Sequence, residues 1–496
     1  MVVGVAILLV YTVCMLGLGY WGMRRTRTVG DFLLGRRSIG PWMSAFAYGT
    51  TYFSAVLFVG YAGKLGWGFG TYTFWIVAGN TLVGSLLAWL LLARRTRRMT
   101  AELEAITMPE FLEARYGSRF LRIAGGLIVF VFLVPYSGSV YMGLSYLVET
   151  VLGVPYGYSL GLMAALTGVY LIMGGYFALT LTDFIRGIVE MVGAVVMVAV
   201  LVIGAGGLDT ALARLGAMTF PGFAPAAFAS AVPLVPPFQG PGWLVLASLV
   251  IVTSLGPWGM PQMVQKFYSL KSEGDARRAM VVATLFALII SAAAYFSGAL
   301  SHLYYQAPPL DPATASPSVD YIMPRLLTEF VPYGVSLVIL LLVFSASMSS
   351  LSSLVLVSSS AIAIDLYERE VSTANTRSVM LLLRVLCAVF VVASLAIALA
   401  RPGFILSLMV ISWGALGGSF IAPYVYGLFW RKANRVGGIA GMLSGLGTAM
   451  VLFLAWGEAG VPVAGALAMI VPLIVLPIAT LISQRESTPR AVGERA

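Results

Sequence analysis

Apolar stretches of twenty residues or more recur from one end of the chain to the other, separated by short polar connections. Twenty helical residues rise about 30 Å, the thickness of a bilayer's hydrocarbon core, so each stretch predicts a spanning helix. The pattern predicts a leader span over about 2–22, then core spans over about 41–62, 70–93, 123–151, 157–176 and 182–205. Five more core spans are expected over about 241–266, 277–304, 333–364, 379–400 and 404–429, followed by trailing spans over about 436–456 and 462–483. The expected fold class is an all-α polytopic membrane protein with about 13 transmembrane helices.

The basic residues test this parsing, because cytoplasmic loops collect Lys and Arg and a miscounted span would scramble the alternation. One set of connections carries Arg24, Arg25, Arg27, Arg36 and Arg37, then seven arginines from Arg94 to Arg122, then Lys266, Lys271, Arg277 and Arg278. Arg369, Arg377, Arg384, Arg431, Lys432, Arg435 and the tail continue that set, whereas the opposite connections hold only Lys64, Arg214, Arg325 and Arg401. The amino terminus is therefore expected outside and the carboxyl terminus inside, in the cell membrane.

Composition removes the alternatives. With 59% hydrophobic and 10% charged residues in 496, and a mean hydropathy of +0.94, the chain is far outside the range of a soluble domain. The stretch from Val2 to Trp21 lacks a basic region before it and a small-residue cleavage pattern after it, so it is expected to be retained. The net charge of +10 sits in short loops as orientation signals, and no basic domain exists for nucleic acid. Cys14 and Cys387 both fall in predicted spans and are assigned to packing. Two long outer connections, about 206–240 and 305–332, are rich in Pro, Ala and Gly and are expected to cap the outer mouth with short helices. His302 opens the second, in a solvated or capping role.

Two spans are interrupted at mid-depth, where backbone without a hydrogen-bond partner is tolerated only around an internal site. The first core span carries Tyr48-Gly49-Thr50-Thr51-Tyr52-Phe53-Ser54, and the sixth carries Thr253-Ser-Leu-Gly-Pro-Trp-Gly-Met-Pro261. They hold equivalent places in two sets of five, which is the sequence pattern of a transporter site between inverted repeats. A Gly/Pro kink used only for packing is the other reading of each. Core span 8 contains Ser345-Ala-Ser-Met-Ser-Ser-Leu-Ser-Ser353. At 100° per residue Ala346, Ser349, Ser350 and Ser353 share one face, with Ser352 at its edge. Neutral hydroxyls and freed carbonyls suit a small hard cation such as sodium, although serines in such helices also bond the preceding turn. Asp183, Arg186 and Glu190, spaced for mutual pairing, start core span 5; Asp183 either completes that ion network or faces a cation.

Four segments carry a family likeness: Asp31-Phe-Leu-Leu-Gly-Arg-Arg-Ser-Ile-Gly-Pro-Trp42, Gly174-Gly-Tyr-Phe-Ala-Leu-Thr-Leu-Thr-Asp-Phe-Ile-Arg186, Met260-Pro-Gln-Met-Val-Gln-Lys-Phe267, and the serine stretch running on to Asp365-Leu-Tyr367. With these the chain resembles, over nearly its whole length, the sodium:solute symporter family, which includes the proline, pantothenate, sialic acid and sodium/glucose symporters. The resemblance implies a LeuT-like 5+5 inverted repeat with one leader span and two trailing spans. The corresponding division is 1–40 for the leader and basic inner loop, 41–206 for the first repeat, 207–240 for an outer loop, 241–430 for the second repeat, and 431–496 for the trailing spans and tail. It further implies Na+ as coupling ion, held by the carbonyls of Thr50, Phe53 and Ala346 and the hydroxyls of Ser349 and Ser350. A second sodium is implied at Asp183, Ser349, Ser352 and Ser353, and a gating role at Arg37.

Departures from the family bear on the solute. Tyr52 stands where proline symporters have aspartate, and Val56 and Leu57 where sugar symporters have a Glu-Gln pair. The expected pocket residues are Tyr52, Ser54, Leu57, Tyr136 and Trp258, an aromatic and weakly polar set. Half-helix ends and freed amides would hold a carboxylate, so import of a small amino acid or monocarboxylate is expected. Sugar or vitamin-type transport, or proton coupling, is the alternative. No His-Glu-x-x-His pattern, paired intramembrane aspartates or serine with a nearby base points to an enzyme.

Overall fold

The computed structural model describes residues 2–23, 33–173, 176–217, 242–371 and 375–487. The expected features at Arg24, Arg25 and Arg27, at Gly174 and Gly175, over 218–241 and over 488–496 lie outside the described residues. The long helices are α1 (Val2–Met23), α2 (Pro41–Tyr52), α3 (Ala62–Phe69), α4 (Arg119–Leu152), α5 (Tyr156–Met173) and α6 (Tyr176–Gly204). After them come α7 (Trp243–Gly259), α8 (Pro261–Tyr268), α9 (Asp275–Leu300), α10 (Tyr333–Ile362), α11 (Thr376–Ala400), α12 (Ile405–Phe429) and α13 (Arg435–Ser487). Among the described residues, extended pairing is confined to two isolated bridges, Ile39 with Leu270 and Leu310 with Pro317.

Nine helical runs among the described residues are long and apolar enough to cross a membrane, ten if the bent pair α7 and α8 is one span. Two of them exceed a single crossing: Val56–Glu102 has 47 residues and Arg435–Gln484 has 50. Each turns at a glycine in a conformation that disfavours a side chain. Gly70 (φ 53°, ψ −132°) lies between the predicted spans 41–62 and 70–93, and Gly457 (φ 59°, ψ −160°) between the two trailing ones. Short helices do occupy the described parts of the long connections, at Leu208–Gly216 and Ile322–Glu329.

Burial sorts the helices. The most apolar window of α12 is 94% buried, against 28% for α1 and for α11, so α12 is a core element and the other two present their sides to lipid. Around the centre, α2 packs on α6, α9 and α10, while α12 packs on α4, α7 and α13. Close crossings rest on missing side chains: a Cβ on Gly298 of α9 would lie 1.9 Å from the Ala62 carbonyl oxygen of α3.

Among the described residues several arginine-bearing connections meet at one end of the bundle, here termed the basic end: Arg37 bonds Thr100 O, Arg97 bonds Leu270 O, Arg115 bonds Trp430 O and Arg119 bonds Glu370. The segment before α2 pairs there with the end of α8, Ile39 N–H donating to Ser269 O at 3.2 Å and Lys271 N–H to Ile39 O at 3.0 Å. Two basic residues that sequence placed among orientation signals are in fact interior: Lys266 is 0% and Arg122 3% exposed. Each has protein acceptors in place of water, which is what lets a charge stay buried.

Candidate functional site

Both interrupted spans break. α2 ends at Tyr52, and Phe53 is extended (φ −111°, ψ 113°), so the chain leaves the helix at Phe53 and Ser54 before a π-helical stretch resumes at Val56. The other break falls at the end of the quoted stretch. Thr253 to Gly259 remain helical, Met260 is extended (φ −83°, ψ 120°), and Pro261 opens α8 at a bend of 44°. Pro261 cannot donate to the ladder and restricts Met260 to extended backbone, so the kink is encoded locally.

The first break releases the carbonyls at the end of α2, and α10 supplies partners. Ser350 Oγ donates to Thr50 O at 3.1 Å and lies 3.4 Å from Thr51 O. Ser349 Oγ is 2.7 Å from Thr50 Oγ1 and 2.7 Å from Asp183 Oδ1. Ala346, one turn earlier on that face, is fully buried, as is Phe53 at the break. Thr50, Ser349 and Ser350 are thus brought together as a nest of neutral oxygens in the interior, the donor set a hard monovalent cation takes.

The four residues expected to hold a second cation are engaged differently. Ser352 Oγ bonds back to Met348 O at 2.6 Å, the local alternative open to any helical serine. Ser353 Oγ lies 3.1 Å from Thr51 Oγ1 and receives the Lys266 ammonium at 3.1 Å. Asp183 accepts Ser349 and lies 3.5 Å from Arg186 Nη1. Lys266 is the member that sequence reasoning missed.

Beside the break is a cavity of about 20 Å³ lined by Tyr52, Phe53, Ser54, Leu57, Tyr61, Asn80, Thr253, Tyr295, Met409 and Trp413. That is room for an ordered water and too little for an organic solute, so a solute enters only when the walls move apart. No charged side chain lines it. Tyr52, Ser54 and Leu57 line this cavity, and Tyr136 adjoins it through Trp413, with ring centroids 6.0 Å apart. Trp258 does not reach the cavity: it is half-buried and its indole N–H donates to Val83 O at 2.9 Å. The remaining walls are Thr253 of α7, Tyr295 of α9, Met409 and Trp413 of α12, and Tyr61 and Asn80 from the helical run Val56–Glu102; Thr253 lies in the interrupted stretch of the sixth core span, and Asn80, a polar residue inside a predicted span, is a further signal in the sequence. The Tyr61 hydroxyl and the Asn80 side-chain carbonyl are buried without a hydrogen-bond partner. Buried polar groups normally have partners, so this lining is chemically incomplete without a polar guest or water.

At the basic end Arg37 ties neighbouring connections together. Arg37 donates to Thr100 Oγ1 (3.0 Å), Thr100 O (2.9 Å), Ala105 O (2.8 Å) and Tyr268 O (3.4 Å). Burial is the main influence on its guanidinium and draws the pKa below the usual arginine value. Next to it Thr107 Oγ1 donates to Asp365 Oδ1 at 2.5 Å, and Arg122 bonds Asp365 O, Glu113 at 2.7 Å and Glu370 at 2.6 Å. Hydrogen bonds from Arg122 and Arg119 hold the Glu370 carboxyl below its ordinary pKa.

Residues 32–445 match the model of the sodium:solute symporter family. The chain is 28% identical over 454 residues to the high-affinity proline transporter PutP of Bacillus subtilis, covering 90% of each chain. It is 27% identical over 447 residues to that organism's osmoregulated proline transporter OpuE, covering 89% of this chain and 87% of the relative. In fold it is similar to a Na+-coupled sialic acid symporter in a substrate-bound outward-open state, with a TM-score of 0.78, 20% identity and 97% of each chain covered. Mhp1, a nucleobase-cation-symport-1 transporter in a closed conformation, aligns with a TM-score of 0.54 at 16% identity, over 91% of this chain and 95% of that one.

Proposed function

Because the chain belongs to the sodium:solute symporter family, and is thereby a multi-pass membrane symporter coupled to sodium and not an enzyme, we propose that it imports a small carboxylate-bearing solute, most closely an amino acid of proline's size. The observation that carries this reading is the cavity at the first break: aromatic walls, unpartnered polar atoms and no charged side chain. A zwitterion has its carboxylate and ammonium close together, and both are served by backbone and neutral dipoles at a helix break. Its apolar body packs on Tyr52, Leu57 and Trp413. Two curated relatives are proline transporters, which supports the same class. A hexose would bury a ring of hydroxyls against Val56 and Leu57, each unpartnered one costing about 1–3 kcal/mol.

In this reading one sodium binds Thr50, Phe53, Ala346, Ser349 and Ser350. The repeats 41–206 and 241–430 rock about the site within about 13 crossings, amino terminus outside, and Arg37 closes the inner path. Uptake into proteoliposomes under a sodium gradient tests it. Proline or another small amino acid is expected to accumulate, choline in place of sodium at fixed pH to abolish accumulation, and glucose not to compete. Saturable sodium-dependent glucose uptake, or amino acid uptake indifferent to sodium, would overturn it.

A further inference from the structure

Lys266 lies on α8, the half-helix after the second break, and is completely buried. Its ammonium donates to Ser353 Oγ at 3.1 Å and sits 5.3 Å from the centroid of the Tyr176 ring. The Asp183 carboxylate belongs to the same cluster: it accepts Ser349 Oγ at 2.7 Å and has Arg186 Nη1 at 3.5 Å, with Lys266 a further cation in its neighbourhood. Asp183 and Ser353 belong to two other helices, α6 and α10. The lysine nitrogen therefore meets a hydroxyl and an aromatic face inside the bundle, with the Asp183 carboxylate near enough to act on its charge, an environment that suits one positive charge. Ser352 Oγ, turned to Met348 O at 2.6 Å, offers that spot nothing further.

We propose that Lys266 is the resident cation of this cluster: its ammonium takes the place of a second sodium at Asp183 and Ser353, so that one sodium accompanies each solute. The proposal rests on the sodium-coupled reading above and specifies its stoichiometry. Two unit charges about 5 Å apart repel strongly in a protein interior, enough to weaken a second sodium roughly a hundredfold or more. The tethered charge also does mechanically what a diffusible ion would. It joins the half-helix α8 to α10 through Ser353 and to α6 through the Tyr176 ring, and it never leaves, so it adds no ion to the transport ledger.

The test is the sodium-to-solute ratio in proteoliposomes, from reversal potentials with proline as solute, together with sodium titrations of the purified protein followed by thermal shift. The wild type is expected to give a ratio of one and a Hill coefficient of one. Lys266→Gln should raise both toward two, Asp183→Asn added to it should return them to one, and Lys266→Arg should stay at one. A wild-type ratio of two overturns the proposal, as does a folded Lys266→Gln protein that binds a single sodium. Should Lys266→Gln fail to fold, the wild-type ratio still decides the outcome. A wild type that needs no sodium at all instead overturns the coupling reading, and so separates the two failures.

Discussion

At the scale of single residues, what distinguishes the serines of α10 is where their hydroxyls point. Ser347 and Ser352 return theirs to the preceding turn, to Val343 O and Met348 O at 2.6 Å each, while Ser349 and Ser350 reach across to α2. If sodium binds here as proposed, removing one of the outward pair takes from it an oxygen that lipid cannot replace. Ser349→Ala and Ser350→Ala are each expected to raise the sodium concentration for half-maximal uptake at least tenfold, the equivalent of about 1.4 kcal/mol. Ser347→Ala should leave it unchanged. Equal sodium dependence in all three variants, at normal membrane abundance, would remove the site from this face. Sequence spacing puts Ser349 and Ser350 on the face that reaches α2, but Ser352 shows its limit: helical periodicity gives a direction around the axis and says nothing about which acceptor a rotatable hydroxyl prefers.

At the scale of elements, breaks and close crossings shape the site. The Phe53–Ser54 break was legible as a polar Gly/Thr/Ser stretch in an apolar span, and the kink at Met260 as the residue before a proline. Crossing distance was not legible. Ala62, Gly66 and Gly298 look like ordinary small residues in the chain, yet a Cβ on Gly66 would sit 2.2 Å from the Gly298 carbonyl carbon. Gly298→Ala must push α9 from α3 and is expected to cost about 1–3 kcal/mol, read as a lower thermal midpoint in detergent and a loss of transport. Gly161→Ala in α5, where nothing lies within 4 Å, is the control and should be neutral or stabilising. If the two variants melt together, the crossing is looser than the backbone distances require.

At the scale of the whole molecule, the cavity is too small for a solute, so transport requires the bundle to open around it. Arg37 ties the segment before α2 to Thr100, Ala105 and Tyr268, contacts that an opened path would have to give up. A hydrogen bond from a charged donor contributes about 1.5–3 kcal/mol, so losing even one net bond shifts an open–closed equilibrium about tenfold. Ser360 lines the small cavity next to Thr107, Tyr268 and Asp365. In a Cys14→Ser, Ser360→Cys background, Arg37→Ala is expected to speed modification by a membrane-impermeant thiol reagent several-fold when it is applied from the basic face, with no change from the other. An unchanged rate on both faces would show that Arg37 does not hold this path closed.

By itself the sequence determined the solvent of this protein, the succession of apolar helices, and the places where two of them break. These are properties of contiguous residues: hydrophobic run length, periodicity and the local chemistry of Gly and Pro act within a turn or two of the chain. Only the tertiary structure decided which groups meet. The cavity draws Asn80, Thr253, Tyr295 and Trp413 from separate helices, and Trp258, a neighbour of the break in sequence, faces Val83 instead. Lys266 shows the reason most directly. In the chain it ends an apolar run like any positive orientation signal; in the fold α8 turns it inward onto Ser353, 87 positions away, in the neighbourhood of Asp183, 83 positions away, and what a charge does depends on the charges and dipoles around it.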